Sequence, residues 1–192
     1  MPSCRSDLGR VVVESGTRYV NNVRGPQTVT LPDGSHVVLM DGTTITVSKG
    51  FGKEGRDVEI DGEGVFFVRP SRGLGDMEGK AFVVHTGNLI IEVLDTTGAG
   101  GSRQDAGGSA VSGLAARFAV EAMRKQPGEE ADLLDGKLRV TKSYHSDTDN
   151  EPEELGAGDM VMINREIDLM EKEKMTGPEE DKVKEKYHLE DK

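Results

Sequence analysis

Apolar residues two positions apart recur through most of this chain, and that period constrains the fold more than any other feature. Val29 and Leu31, Val37 and Leu39, Ile45 and Val47, Val58 and Ile60, and Phe66 and Val68 follow it. Phe82 and Val84, then Leu89, Ile91 and Val93, Phe118 and Val120, and Leu138 and Val140 continue it. Residues two apart on a strand point to one side, so the pattern predicts strands with one buried face. The count is nine to ten short strands.

Asp-Gly pairs at Asp33-Gly34, Asp41-Gly42, Asp61-Gly62 and Asp135-Gly136 read as hairpin turns, since Gly tolerates positive φ and Asp bonds its own backbone. Pro32 strengthens the first of them by presetting the turn entry. Strands at this spacing, in a chain of 192 residues, predict one all-β sandwich or barrel. With 34% hydrophobic residues and no Trp, its core must come from Val, Leu, Ile and five Phe.

Three segments depart from the alternation. Thr96 to Gly113 holds six Gly and reads as a flexible surface insertion. Leu114 to Met123 fits either a short helix or, through Phe118 and Val120, a strand. Beyond Asn164 the chain is rich in Glu and Lys. There Gly177-Pro178 marks a helix entry and Glu180 and Lys184 pair at i,i+4, but Val183 and Tyr187 form too thin a stripe to dock firmly.

Charge is unevenly placed. Residues 1–146 carry 17 basic and 19 acidic side chains, and residues 147–192 carry 7 and 16, so most of the net −11 lies in the last quarter. Such a surface repels phosphate backbones, and no basic cluster with interleaved aromatics occurs, which argues against nucleic-acid binding and against anionic membranes. No stretch approaches 18 apolar residues, so this chain carries no membrane-inserting segment. The single cysteine, Cys4, excludes an internal disulfide, and no apolar run precedes it as a lipidation signal requires.

No catalytic arrangement emerges, and the expectation is a binding module, not an enzyme. No serine sits in Gly-x-Ser-x-Gly. Gly75-Asp-Met-Glu-Gly79-Lys80-Ala81 is one residue short of a phosphate loop and ends in Ala where a hydroxyl belongs. Asp147-Thr-Asp149-Asn-Glu151 opens like a calcium loop, but Pro152 stands where Gly is needed and Gly158 where bidentate Glu is needed. Asp57, Glu59, Asp61 and Glu63 alternate with Val58 and Ile60, which is the pattern of a solvent-facing strand edge before it is that of a metal site. His36, His85, His145 and His188 lack zinc spacing. The sequence therefore yields no catalytic, cofactor-binding or metal-binding residues, and leaves the partner-binding residues open.

The run Thr28 to Thr43, with Leu31-Pro-Asp-Gly-Ser35 followed by Val37-Val-Leu39, resembles the opening of a FecR domain. Arg56-Asp-Val-Glu-Ile-Asp-Gly-Glu-Gly64 with Phe66-Phe-Val68 resembles that family's arginine-led strand and its successor. Ala81 to Thr86, Ile91 to Thr96 and Phe118 to Ala122 resemble the next strands, which decides for a strand there. Leu133 to Val140 and Leu155 to Met160 resemble the closing hairpin and turn. Departures are Asp95 for the usual Gly, Ala157 for the usual Pro, and the insertion 97–117 between strands that are normally adjacent. Neither the family's second, aromatic-rich subdomain nor its preceding anti-sigma helices and membrane span are matched.

The resemblance implies a jelly-roll-like β-sandwich over residues 27–164, after a lead-in segment 1–26 and before a charged helical tail 165–192. It implies a periplasmic sensor and signal-relay domain of an anti-sigma-factor-type regulator. The implied partner is the signalling domain of an outer-membrane TonB-dependent transducer, bound by strand addition at a sheet edge, with the sigma factor reached only through other parts of such a regulator. No cofactor is implied. The alternative is a carbohydrate-binding sandwich, which needs exposed aromatics that Tyr19, Tyr144 and Tyr187 would have to supply.

Overall fold

The computed structural model describes residues 15–72, 74–94 and 114–189. Among them the chain forms β1 Ser15–Val20, β2 Gln27–Thr30, β3 His36–Leu39, β4 Thr44–Ser48, β5 Arg56–Val68, β6 Phe82–His85 and β7 Leu89–Val93. These are followed by β8 Ala116–Ala122, β9 Gly128–Asp135, β10 Lys137–Lys142, β11 Glu153–Gly156, β12 Asp159–Asn164, β13 Leu169–Lys174 and α1 Gly177–Lys186. The described residues are all-β with one C-terminal α-helix. The segment Leu114 to Met123 holds strand β8, Ala116–Ala122, and no helix.

Two sheets share β5. One runs β1-β4-β5-β6-β7-β10-β11 and the other β2-β3-β5-β8-β9-β12-β13. The first half of β5 pairs with β4 and β6, and its second half with β3 and β8. Gly62, at φ 126°, makes the passage possible, because a Cβ there would lie 2.8 Å from Thr43 Cα. The Thr43 hydroxyl fixes the bend by donating to the Glu63 carbonyl and accepting from the Glu63 amide, both at 2.9 Å.

This geometry differs from the sequence reading in three ways. The segments expected as two strands at Val58-Ile60 and Phe66-Val68 are one long strand, while β1, β9, β11, β12 and β13 add to the expected count. Of the four Asp-Gly pairs, only Asp33-Gly34 closes a hairpin, between β2 and β3. Asp41-Gly42, Asp61-Gly62 and Asp135-Gly136 instead stand where the chain leaves one sheet for the other. The paired structure also reaches past 27–164: β1 lies in the segment read as a lead-in, and β13 occupies the first part of the segment read as a helical tail. Most of the predicted insertion, residues 97–113, lies outside the described residues; Ala116 and Arg117 already belong to β8.

The inward residues of both sheets form one core, from Val37, Leu39 and Phe66 on one side to Ile45, Phe82 and Leu138 on the other. Phe66 stacks on Phe118 at 5.1 Å and meets Phe82 edge-on at 6.3 Å. Beside them lies a buried ion pair. Arg56, at the start of β5, donates through Nη1 to Asp33 Oδ2 at 3.1 Å and to the Arg69 carbonyl at 2.9 Å, and through Nε to the Lys80 carbonyl at 3.2 Å. Its guanidinium lies 5.4 Å from the Phe82 ring centre. Asp33 also accepts from the Ser35 amide and hydroxyl, and the Ser35 oxygen accepts from the Arg69 amide.

Removing one member of a buried pair leaves the other charge uncompensated. Arg56→Met is therefore expected to lower the unfolding free energy by about 3–5 kcal/mol in urea titration. A loss under about 1 kcal/mol would show that Asp33 is satisfied without it.

Candidate functional site

Most of the features that the sequence singled out are absorbed by packing, while His145 and His188 stand exposed. Of the carboxylate row on β5, Asp57 meets His85 at 3.0 Å, Glu59 and Asp61 both hold Arg124, and Glu63 meets Lys186 at 3.0 Å. In the near-phosphate loop, Lys80 Nζ donates to the carbonyls of Gly52 and Lys53. The calcium-like loop closes on Asp168, whose carboxylate accepts from the Ser146 hydroxyl, the Asp147 amide and Lys142. The Ser146 and Lys142 bonds lead the causes that hold Asp168 down at about 2. Among the described residues no group of three His, Cys, Asp or Glu side chains is placed to hold a metal ion. His36 stacks on Phe67 at 4.4 Å. Of the tyrosines, Tyr19 packs on the core, Tyr144 lies under Arg165 at 4.9 Å, and Tyr187 is buried.

What remains is the outer face of the second sheet, which the sequence did not single out. Strand register lays its outward side chains in two rows. One runs Glu63, Glu121, Glu130, Met162, Glu171, and the other Val65, Ala119, Asp132, Met160, Glu173. Like charges opposite one another across strands repel, and the first row sets three carboxylates side by side.

Helix α1 answers both rows. It starts at a capping box, where the Thr176 amide and hydroxyl donate to Glu179, and Pro178 presets its first turn. Lys184 and Glu180 pair at 2.9 Å along its side. Lys186 then reaches Glu63 at 3.0 Å and Glu121 at 2.8 Å. Tyr187, 4% exposed, closes over Val65 and Ala119, with Val183, Leu189, Met40 and Phe67 around them. The stripe judged too thin to dock is thus docked.

Between α1 and β9, β12 and β13 a groove of about 350 Å³ stays open, floored by Met160, Met162 and Val183 and edged by Glu130, Glu173 and Glu179. A second groove of about 430 Å³ adjoins it, sharing Glu121, Glu130 and Met162, and ends at Ile167 and Leu169. The carboxyls here are strained electrostatically. Burial, and then the neighbouring Glu130 charge and hydrogen bond, push Asp132 up to about 7, while Lys186 pulls the other way. Burial and then Glu121 raise Glu130. For Lys186, burial opposes the charge, but the hydrogen bonds to Glu121 and Glu63 outweigh it and hold the ammonium above the ordinary lysine range.

No family model matches the chain, and no curated protein matches it. Two crystal structures of a candidate anti-sigma factor from Parabacteroides distasonis ATCC 8503, at 1.65 and 2.50 Å resolution, do. Each gives a TM-score of 0.60 at 24% identity over 83% of this chain and 60% of the solved one. The likeness shows the fold. This chain spans 60% of the length of those it matches. Among the described residues no helix is long and apolar enough to cross a membrane.

The rows could have been suspected from Met160 and Met162 alternating with Val161 and Ile163, and from Glu130 and Asp132 flanking Ala131. Their convergence could not, because it depends on pairings between distant strands.

Two outcomes follow from the docked helix and its carboxylates. Tyr187→Ala is expected to cost about 3 kcal/mol and to speed amide exchange of Val65 and Ala119 selectively, as read by hydrogen exchange. The folded value of Asp132 lies above the unfolded value of about 3.9, so the folded state holds an extra proton between about pH 4 and about pH 7. The stability tied to Asp132 is whole below that window and is lost as pH rises through it. The titratable groups that share its groove are Glu121, Glu130, Glu173, Glu179, Lys182, Lys186 and Tyr187. Asp132→Asn should therefore raise stability by about 1–2 kcal/mol at about pH 8 and change little at about pH 4. Equal effects at both values would mean that Asp132 titrates normally.

Proposed function

We propose that this chain is a FecR-like signal-relay domain of an anti-sigma-factor-type regulator, acting by protein binding and not by catalysis. The observation that carries the reading is the fold likeness to a candidate anti-sigma factor at a TM-score of 0.60. It is supported by the way the FecR-like motifs interlock. The Leu31-Pro-Asp-Gly-Ser35 turn and the arginine that leads β5 meet in the buried Arg56–Asp33 pair, so motifs far apart in sequence form one structural unit.

Such a domain receives a protein signal on the outer side of the inner membrane. The partner proposed is the periplasmic signalling domain of an outer-membrane TonB-dependent transducer, with the sigma factor contacted by other parts of the regulator. A carbohydrate-binding role is less well supported, because Tyr19, Tyr144 and Tyr187 are all engaged within the protein and none offers a free ring for a sugar to stack on.

Calorimetric titration of the chain with signalling domains of transducers encoded beside it should give saturable binding to one of them. Absence of heat across that set, with each domain shown to be folded, would remove the reading.

A further inference from the structure

The groove beside α1 and the one that adjoins it form one trough, sharing Glu121, Glu130 and Met162. Its floor is methionine, Met160 and Met162, with Val183 on the helix side and Ile167 and Leu169 at the far end. Ile167 and Leu169 are 66% and 41% exposed, and they are two of the four large apolar side chains that stand exposed among the described residues. Methionine is flexible and polarisable, so a methionine floor adapts to varied apolar partners.

The rim is mainly anionic. Glu130, Glu171, Glu173 and Glu179 border the opening, while the cations that line it are Lys182 and Lys186. Lys186 is already held by Glu63 and Glu121. Lys172 and Lys174, which alternate with the β13 glutamates, turn to the opposite face and meet Asp159. An anionic segment would be repelled, and an apolar one would leave the rim carboxylates desolvated without a partner. A segment with apolar residues on one side and Lys or Arg beside them satisfies floor and rim together.

We propose that this trough receives a cationic amphipathic segment of the partner protein, its apolar side on Met160, Met162 and Val183 and its basic side chains on Glu130, Glu171 and Glu173. The inference rests on the protein-binding reading above and names the chemistry of the segment recognised. Binding also brings cations to a place where Glu130 and Asp132 lie two residues apart on one face of β9.

The test uses the whole chain, labelled with ¹³C at its methionine methyls, and a synthetic leucine/lysine peptide of about four helical turns as probe. Addition of the peptide should shift the Met160, Met162 and Met175 methyl signals saturably and leave Met77, which packs by Gly52, in place. Glu171→Lys combined with Glu173→Lys, on an exposed edge strand, should weaken binding at least about tenfold, or about 1.4 kcal/mol. The equal charge change Asp76→Lys with Glu78→Lys, on an exposed turn elsewhere, should not. A matched leucine/glutamate peptide should fail to bind.

Equal weakening by both variants, shifts at Met77 as large as those at Met162, or no saturable binding would overturn the proposal. So would a dimer in sedimentation that the β13 variant abolishes, since a second copy would then own the face. A chain that binds the leucine/lysine peptide here but no transducer domain keeps this inference and removes the functional reading. Binding of a transducer domain without shifts at the trough methyls does the reverse.

Discussion

The buried contact between Arg56 and Asp33 is the constraint on which the rest of the arrangement hangs. A guanidinium taken out of water is tolerated only when its donors are met. Here they are met by the Asp33 carboxylate, by the carbonyl of Arg69 just past the end of β5, and by the carbonyl of Lys80 just before β6. One side chain thus gathers the β2–β3 turn, the exit of the shared strand and the entry of its parallel neighbour. A pair of this kind adds little over apolar residues of equal volume. Its geometric effect is to fix three chain segments at one point, and the aromatic cluster of Phe66, Phe82 and Phe118 packs beside that point.

How much of this could be read from the sequence depends on whether the signal is local. Inward positions were legible, because alternation is a property of consecutive residues. Strands β1 and β13 were not, because their exposed sequences, such as Leu-Met-Glu-Lys-Glu-Lys in β13, carry almost no alternation of apolar residues. The Asp-Gly pairs show the same limit. Positive φ at Gly34, Gly42, Gly62 and Gly136 is real and follows from the residue type. Whether the chain then folds back on its own strand or crosses to the other sheet depends on which distant strand accepts it.

The helix sequence alone does not reveal the docking of α1. Its own stripe is thin, but the signal stood in β5, where Val65-Phe66-Phe67-Val68 breaks the alternation with four consecutive apolar residues. A strand apolar on both sides needs a cover on both sides. Phe66 and Val68 face the core, and Val65 and Phe67 need something outside the sheet. Tyr187, placed just past the last helical turn, supplies it, and Lys186 beside it answers the carboxylates that the register brings together.

The acidic last quarter of the chain thereby acquires a direction. On β13 the glutamates turn outward to the trough and the lysines turn to Asp159, so the net charge that composition showed becomes a charge on one face. The same alternation of Glu and Lys blunts β13 as an edge, since charged side chains on an edge strand disfavour pairing with another chain. Partner binding by strand addition, which the sequence suggested, is therefore disfavoured at this edge. The adjoining face keeps its methionine floor open and presents side chains instead of backbone.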